Sequence, residues 1–131
     1  MYVKNCIVVG SADDGIYADS DVDGLVVENS IFYNNGGYDI NISSASGDLM
    51  RNVLYNTMNG SSAGSSNYNI SASGDPFADG TNGDYRSNVR KETINTGTDI
   101  GQEHDILGNT IRVQDIGAFE YGGTKFNWTQ R

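Results

Sequence analysis

The densest collection of chemically capable side chains is "SADDGIYADSDVDG", residues 11–24, which holds Asp13, Asp14, Asp19, Asp21 and Asp23. In an extended strand alternate residues face one way, so Asp19, Asp21 and Asp23 can turn three carboxylates towards one hard cation. Ca²⁺ is the cofactor this pattern suits. The spacing resembles the start of a calcium loop, yet no glutamate follows where an EF-hand requires one. A solvated acidic turn is the plainer reading. Hydrolysis of a glycosidic bond also uses two carboxyls, one protonated and one ionised, but no Lys, Arg or His accompanies this cluster.

Basic groups are few. Lys4 and Arg51 are candidate proton acceptors for a polysaccharide lyase, and the single histidine, His104, lies in the loop-like "GQEHDILGN". For each, a charge pair or a solvated position is the simpler role, and no residue is assigned as catalytic. Four of the eight tyrosines, Tyr17, Tyr33, Tyr38 and Tyr55, neighbour Asn and Asp, as in surfaces that stack on sugar rings. Tyrosine also fills strand boundaries in β proteins. Asn41, Asn59, Asn69 and Asn127 begin glycosylation sequons, which so Asn- and Ser-rich a chain produces by chance.

The elements that must carry these residues are strands. At 131 residues the chain suits one domain, and its 17 Gly and single Pro favour turns and short strands over helices. No window sustains a helical period. A formal charge of −9 with eight Lys and Arg leaves no basic face, so nucleic acid is excluded as a partner. Cys6 is alone, so no intrachain disulfide or thiolate zinc cage forms. No apolar stretch is long enough to span a bilayer, so no membrane insertion is expected. Met1 opens directly into strand-like sequence without a signal peptide.

Three segments superimpose: "VKNCI" (3–7), "VENSI" (27–31) and "MRNVL" (50–54), with Asn5, Asn29 and Asn52 at a nearly constant interval. A second rank follows each: "GIYA" (15–18), "DINI" (39–42) and "NISA" (69–72). The step from Ile40 to Ile70 is longer than the step from Ile16 to Ile40, which places an insertion at "GSSAGSS" (60–66). Strand alternation from Val3, Val27 and Met50 predicts that Asn5, Asn29, Asn52 and then Ile7, Ile31, Leu54 face inward. Lys4, Glu28 and Arg51 then form an outward column of alternating sign. Cys6, Ser30 and Val53 fall on that outward face too. Two strand ranks recurring every roughly 23–24 residues fit the coils of an all-β parallel β-helix, with Asn5, Asn29 and Asn52 as a stacked structural ladder.

This pattern resembles the right-handed parallel β-helix proteins of the pectate-lyase-like superfamily. The second half strengthens the likeness: "DPFADGTNGDYR" (75–86), "INTG" (94–97), "DILGNTIR" (105–112) and "DIGAFEY" (115–121) are similar to an ending common among secreted bacterial β-helix proteins. The resemblance implies a short right-handed parallel β-helix of about three coils over residues 1–74. A C-terminal capping segment follows over 75–121 and a tail over 122–131. In the cap, Ile116, Ala118 and Phe119–Tyr121 are expected to add a last strand pair, with Arg112 and Asp115 pinning the preceding loop. The tail either frays or folds Phe126 and Trp128 over the last coil.

The expected function is a non-catalytic module of a secreted or surface bacterial protein, structural and oligomerising, with contact to carbohydrate. The alternative is a polysaccharide lyase or glycoside hydrolase acting on acidic polysaccharide. Nothing before residue 1 shields the first coil, so a homo-oligomer through Val3–Val9 is also expected.

Overall fold

The structure is a computed structural model and describes residues 1–42, 47–88 and 92–121. Its strands are short: β1 (Tyr2–Lys4), β2 (Ile7–Val9), β3 (Ile16–Tyr17), β4 (Val26–Tyr33), β5 (Ile40–Asn41), β6 (Leu49–Tyr55), β7 (Met58–Asn59), β8 (Ala63–Ser65) and β9 (Tyr68–Asn69). A single helical turn, α1 (Ile70–Ser73), follows, and then β10 (Phe77–Asp79) and β11 (Asp84–Ser87). The fold is mostly β with parallel sheets. No described helix is long and apolar enough to cross a membrane.

One parallel sheet runs β1-β4-β6-β8, with β2 beside the second half of β4 and β9 beside the second half of β6. A second parallel sheet is β3-β5-β7, and β10 pairs antiparallel with β11. Over the first three tiers the register joins each position to its counterpart in the next repeat: Val3 to Val27 to Met50, Lys4 to Glu28 to Arg51, Ile7 to Ile31 to Leu54. Ile16 lies beside Ile40 in the second sheet.

The third interval is shorter than expected, not longer. Ile40 pairs with Met58 and not with Ile70, and "NISA" (69–72) supplies the end of β9 and most of α1. The expected insertion at 60–66 instead contains β8, a fourth tier, whose Ala63 already lies beside Leu49. Gly64 permits this. A Cβ built there would collide with the Met50 carbonyl oxygen, and φ is +134°. Only glycine tolerates both. Ala63–Ser65, the middle of "GSSAGSS", are therefore a closely apposed strand.

The predicted facing also needs correction. Asn5, Asn29 and Asn52 have φ of +51°, +47° and +58°, within the left-handed region. One such residue in a strand reverses which side the following residues face. Val27, Met50, Phe32 and Val53 share one buried cluster with Leu25, Ile40 and Ile42. Ile31 and Leu54 belong instead to a second cluster with Tyr68, Ile70, Phe77, Ile116 and Ala118. After the asparagine, then, Val53 and Ser30 turn inward, contrary to the outward placement of the Cys6 column. The column of Ile7, Ile31 and Leu54 turns out of the inter-sheet core.

An outward apolar column must be covered, at roughly 2 kcal/mol gained per aliphatic side chain removed from water. The C-terminal segment does this. Residues 112–121 add no strand pair; they form an irregular cover. Gly117 N–H donates to Asn52 O at 2.9 Å, and a Cβ at Gly117 would stand 2.7 Å from Leu54 Cδ1. Beside it Tyr33, Phe77 and Tyr85 pack edge to face, with centroids 5.1–6.2 Å apart.

Candidate functional site

The asparagine column is where the parallel sheet meets its cover. Asn52 Nδ2 donates to Asn29 Oδ1 at 2.9 Å and to Thr98 O at 2.7 Å, while Thr98 N–H donates back to Asn52 Oδ1 at 2.6 Å. Asn29 Nδ2 turns away from Asn5 and donates to Gln102 Oε1 at 2.9 Å. Asn5 Oδ1 is buried and has no hydrogen-bond partner. The stack therefore links two of its three asparagines directly. The other amide hydrogen bonds hold segment 97–104.

A second stack was missed in the sequence. Asn59 Nδ2 donates to Asn41 Oδ1 at 3.2 Å, and Asn41 Nδ2 donates to Asp14 Oδ2 at 2.7 Å. Both asparagines belong to sequons, and their like position at the end of β5 and β7 was the available signal. Asn69 Oδ1 caps α1 through Ala72 N–H. Asn127 and the rest of the tail, with Phe126 and Trp128, lie outside the described residues.

The acidic segment does not converge on an ion. Among the described residues no group of three or more His, Cys, Asp or Glu side chains is placed to hold a metal. Asp19 Oδ1 instead accepts the Asp21 N–H at 3.1 Å, and Asp23 lies close to Gly47 of the next tier. Their separation has a cause: a turn at residues 20–21 interrupts the extended strand that alternation requires. Asp14 ties tiers together by accepting Tyr38 N–H at 2.7 Å as well as the Asn41 amide. Asp39, which opens "DINI", is fully buried and accepts from Asn35, Asn56 and Thr57 backbone amides.

The four tyrosines divide. Tyr17 and Tyr38 are exposed, at 61% and 44%. Tyr33 is packed edge to face against Phe77 and Tyr85, and Tyr55 against the inner core, so both are partly buried. Tyr33 is also held above the usual phenol range by burial, with Asp75 adding to it.

Glu28 sits between Lys4 and Arg51, with Lys4 Nζ at 2.6 Å and Arg51 Nη2 in direct contact. Burial opposes its ionisation, but hydrogen bonds from Lys4 and Arg51 outweigh that and hold the carboxyl below its ordinary value. Both cations are engaged with this one carboxylate. Cys6 Sγ leans on the Lys4 carbonyl at 3.2 Å, and Cys6 N–H donates to Ser30 Oγ at 3.1 Å.

Asp115 does not pair with Arg112. Arg112 is exposed, while Asp115 is wholly buried and accepts the backbone N–H groups of Asn95 and Tyr121. Two backbone amides replace the expected guanidinium because the cover folds its own main chain around the carboxylate. Nearby Asp105 accepts from Leu107, Asn109 and Glu120 amides at 2.8–2.9 Å. Burial raises the Asp115 pKa, and the charge of Asp105 adds to it. Glu120 is pushed up to about 7, by burial first and then by Asp115, and its Oε2 has no partner.

Outside this cover lies an open cleft of about 520 Å³. Its polar lining includes Asp99, Gln102, Glu103, His104, Arg112 and Gln114. His104 and Arg112 share it because His104 bridges antiparallel to Thr110. Sequence reasoning placed these two residues separately; the bridge that joins them lies in irregular chain and has no periodic signature. No family model matches the chain, and no curated protein or solved structure matches it.

Proposed function

We propose that this chain is a non-catalytic module of the right-handed parallel β-helix type, similar to the pectate-lyase-like proteins, from a secreted or surface bacterial protein. Its role is structural, with carbohydrate contact at the cleft of His104 and Arg112. The observation that carries the reading is the in-register stacking of Lys4, Glu28, Arg51 and of Ile7, Ile31, Leu54 over parallel tiers. Such stacking makes a rigid body whose flank can present a polar cleft. Amides, an imidazole and a guanidinium are suitable hydrogen-bonding partners for sugar hydroxyls. The carboxylates Asp99 and Glu103 add acceptors.

Cross-linking tests the stacking. Ser30→Cys should join Cys6, one repeat away, on mild oxidation, since the two lie in adjacent tiers and strands stand about 4.8 Å apart. A chain that stays reduced at both thiols would remove the tiered reading. Carbohydrate contact is tested by calorimetry against alginate, pectate and glycosaminoglycan oligosaccharides, with Arg112→Ala expected to weaken binding about tenfold.

A second reading, polysaccharide lyase, is favoured by one observation: an exposed histidine and an arginine share the cleft. A lyase needs a base beside a cation that offsets the uronate carboxylate. Absorbance of unsaturated product, lost in His104→Ala, would establish it over the non-catalytic reading.

A further inference from the structure

Three asparagines are followed directly by glycine: Asn35–Gly36, Asn59–Gly60 and Asn82–Gly83. Glycine has no Cβ, so the peptide nitrogen after each asparagine is unhindered. That nitrogen can attack the asparagine Cγ. A C–N bond forms, the side-chain nitrogen leaves as ammonia, and a succinimide ring results. Water then opens the ring at either carbonyl, giving aspartate or, with the main chain rerouted through Cβ, isoaspartate. One water is consumed and one ammonia released, and nothing is oxidised or reduced. Ring closure requires a free peptide N–H, a side-chain amide able to turn, and room for the backbone to fold back onto it.

The fold treats the three pairs differently. Asn35 is held at both ends of its amide: Oδ1 accepts Ser11 N–H at 2.9 Å, and Nδ2 donates to Asp39 Oδ1 at 2.7 Å and to Val8 O at 3.3 Å. Gly36 N–H is bound to Ser11 O at 2.8 Å, and a Cβ at Gly36 would stand 2.4 Å from Ala12 O. Nothing in this pair is free to swing. Asn59 ends β7, and its carbonyl accepts Ile42 N–H at 2.9 Å, so strand pairing keeps it extended and away from ring geometry. Asn82 stands in an exposed turn. Thr81, Asn82 and Gly83 are all exposed, and a Cβ at Gly83 would meet nothing within 4 Å. Gly83 N–H donates to Gly80 O at 3.2 Å within the same turn, so one local opening frees it.

We propose that Asn82–Gly83 is a site of spontaneous deamidation whose product loosens the turn between β10 and β11, and that the fold shields Asn35–Gly36 from the same chemistry. The consequence follows from the neighbours. Asn82 Nδ2 donates to Asp79 Oδ2 at 2.8 Å. Deamidation replaces that donor with a carboxylate oxygen and sets two anions against each other. Asp79 pairs with Asp84 across the hairpin, so a third carboxylate belongs to the same turn. The hairpin carries Phe77 and Tyr85 to the second apolar cluster, so the altered turn adjoins the strands that complete it. This site rests on neither the tiered reading nor the carbohydrate cleft.

Ageing the native chain in mildly alkaline buffer, then following each asparagine by fragment mass spectra, tests the site. Asn82 should convert at least about tenfold faster than Asn35. In urea, where all three pairs are released, the rates should converge. Equal rates in the folded chain, or a difference undiminished in urea, would overturn the shielding. Asn82 still intact in the native chain after the unfolded chain has converted would overturn the site itself. Asn82→Asp supplies the charge of the product directly. Hydrogen exchange at the β10 and β11 amides should then rise about two- to threefold, with the β6 amides unchanged. Unaltered exchange in β10 and β11 would overturn the loosening.

Discussion

Asn52 does two jobs that different substitutions separate. Its backbone holds φ of +58°, and its side chain bonds Asn29 and both peptide groups of Thr98. Asn52→Gly keeps the conformation and loses the hydrogen bonds, at about 1 kcal/mol each. Asn52→Ala loses the same bonds and adds about 1–2 kcal/mol of left-handed strain. Urea denaturation should therefore rank wild type above Asn52→Gly above Asn52→Ala. Equal stability of the two variants would show that side-chain bonding alone matters. Asparagine suits the site because it both tolerates left-handed backbone and supplies an amide. The sequence exposed this residue type at the right spacing, but asparagine permits positive φ without dictating it, so alternation was carried straight through.

That reversal sets the design of the larger elements. Each long strand serves two apolar clusters, one between the parallel sheets and one beneath the cover. Ile116 is 5% exposed and Ala118 1%, and both belong to the second cluster with Ile31 and Leu54. Ile116→Ala should cost about 2–4 kcal/mol by opening a cavity over Leu54. Thermal melting and dye binding would check this: a lower midpoint with new dye binding is expected. A change confined to residues 112–121, with β4 and β6 amides still protected, would mean that the cover contributes little to the tiers. The ending of the chain was legible as a closing device from its pattern. Its mode of closure was not, since the cover meets β6 through contacts such as Gly117 to Asn52, which lie far apart along the chain.

Over the whole molecule, two carboxylates, Glu28 and the partly buried Glu120, impose opposite pH dependences. Glu28 is held below its ordinary value, so its contribution is present above about pH 4 and is lost as pH falls through the lowered value. Glu120 is raised to about 7, so the folded state holds a proton that the unfolded chain gives up near pH 4.5. Stability from Glu120 is therefore full below about pH 4 and declines as pH rises towards 7. Raised Asp115 acts in the same direction. Melting temperature should peak in mild acid and decline towards neutrality, and Glu120→Gln should flatten the neutral limb while leaving the acid limb. A variant that retains the full decline between about pH 5 and 8 would assign that limb to another group.

The residues alone sufficed for the register of β1, β2, β4 and β6 over the first three tiers, because a strand ladder sets like residues at a fixed offset. They sufficed too for the charge column of Lys4, Glu28 and Arg51, whose facing precedes the asparagine. The facing beyond Asn5, Asn29 and Asn52 emerged only on folding, since one dihedral sign reverses it. The same holds for the contracted fourth tier, which depends on Gly64 meeting the Met50 carbonyl. Folding likewise placed Asp115 among backbone amides and His104 in one cleft with Arg112, because irregular chain is positioned by what it covers and carries no period of its own.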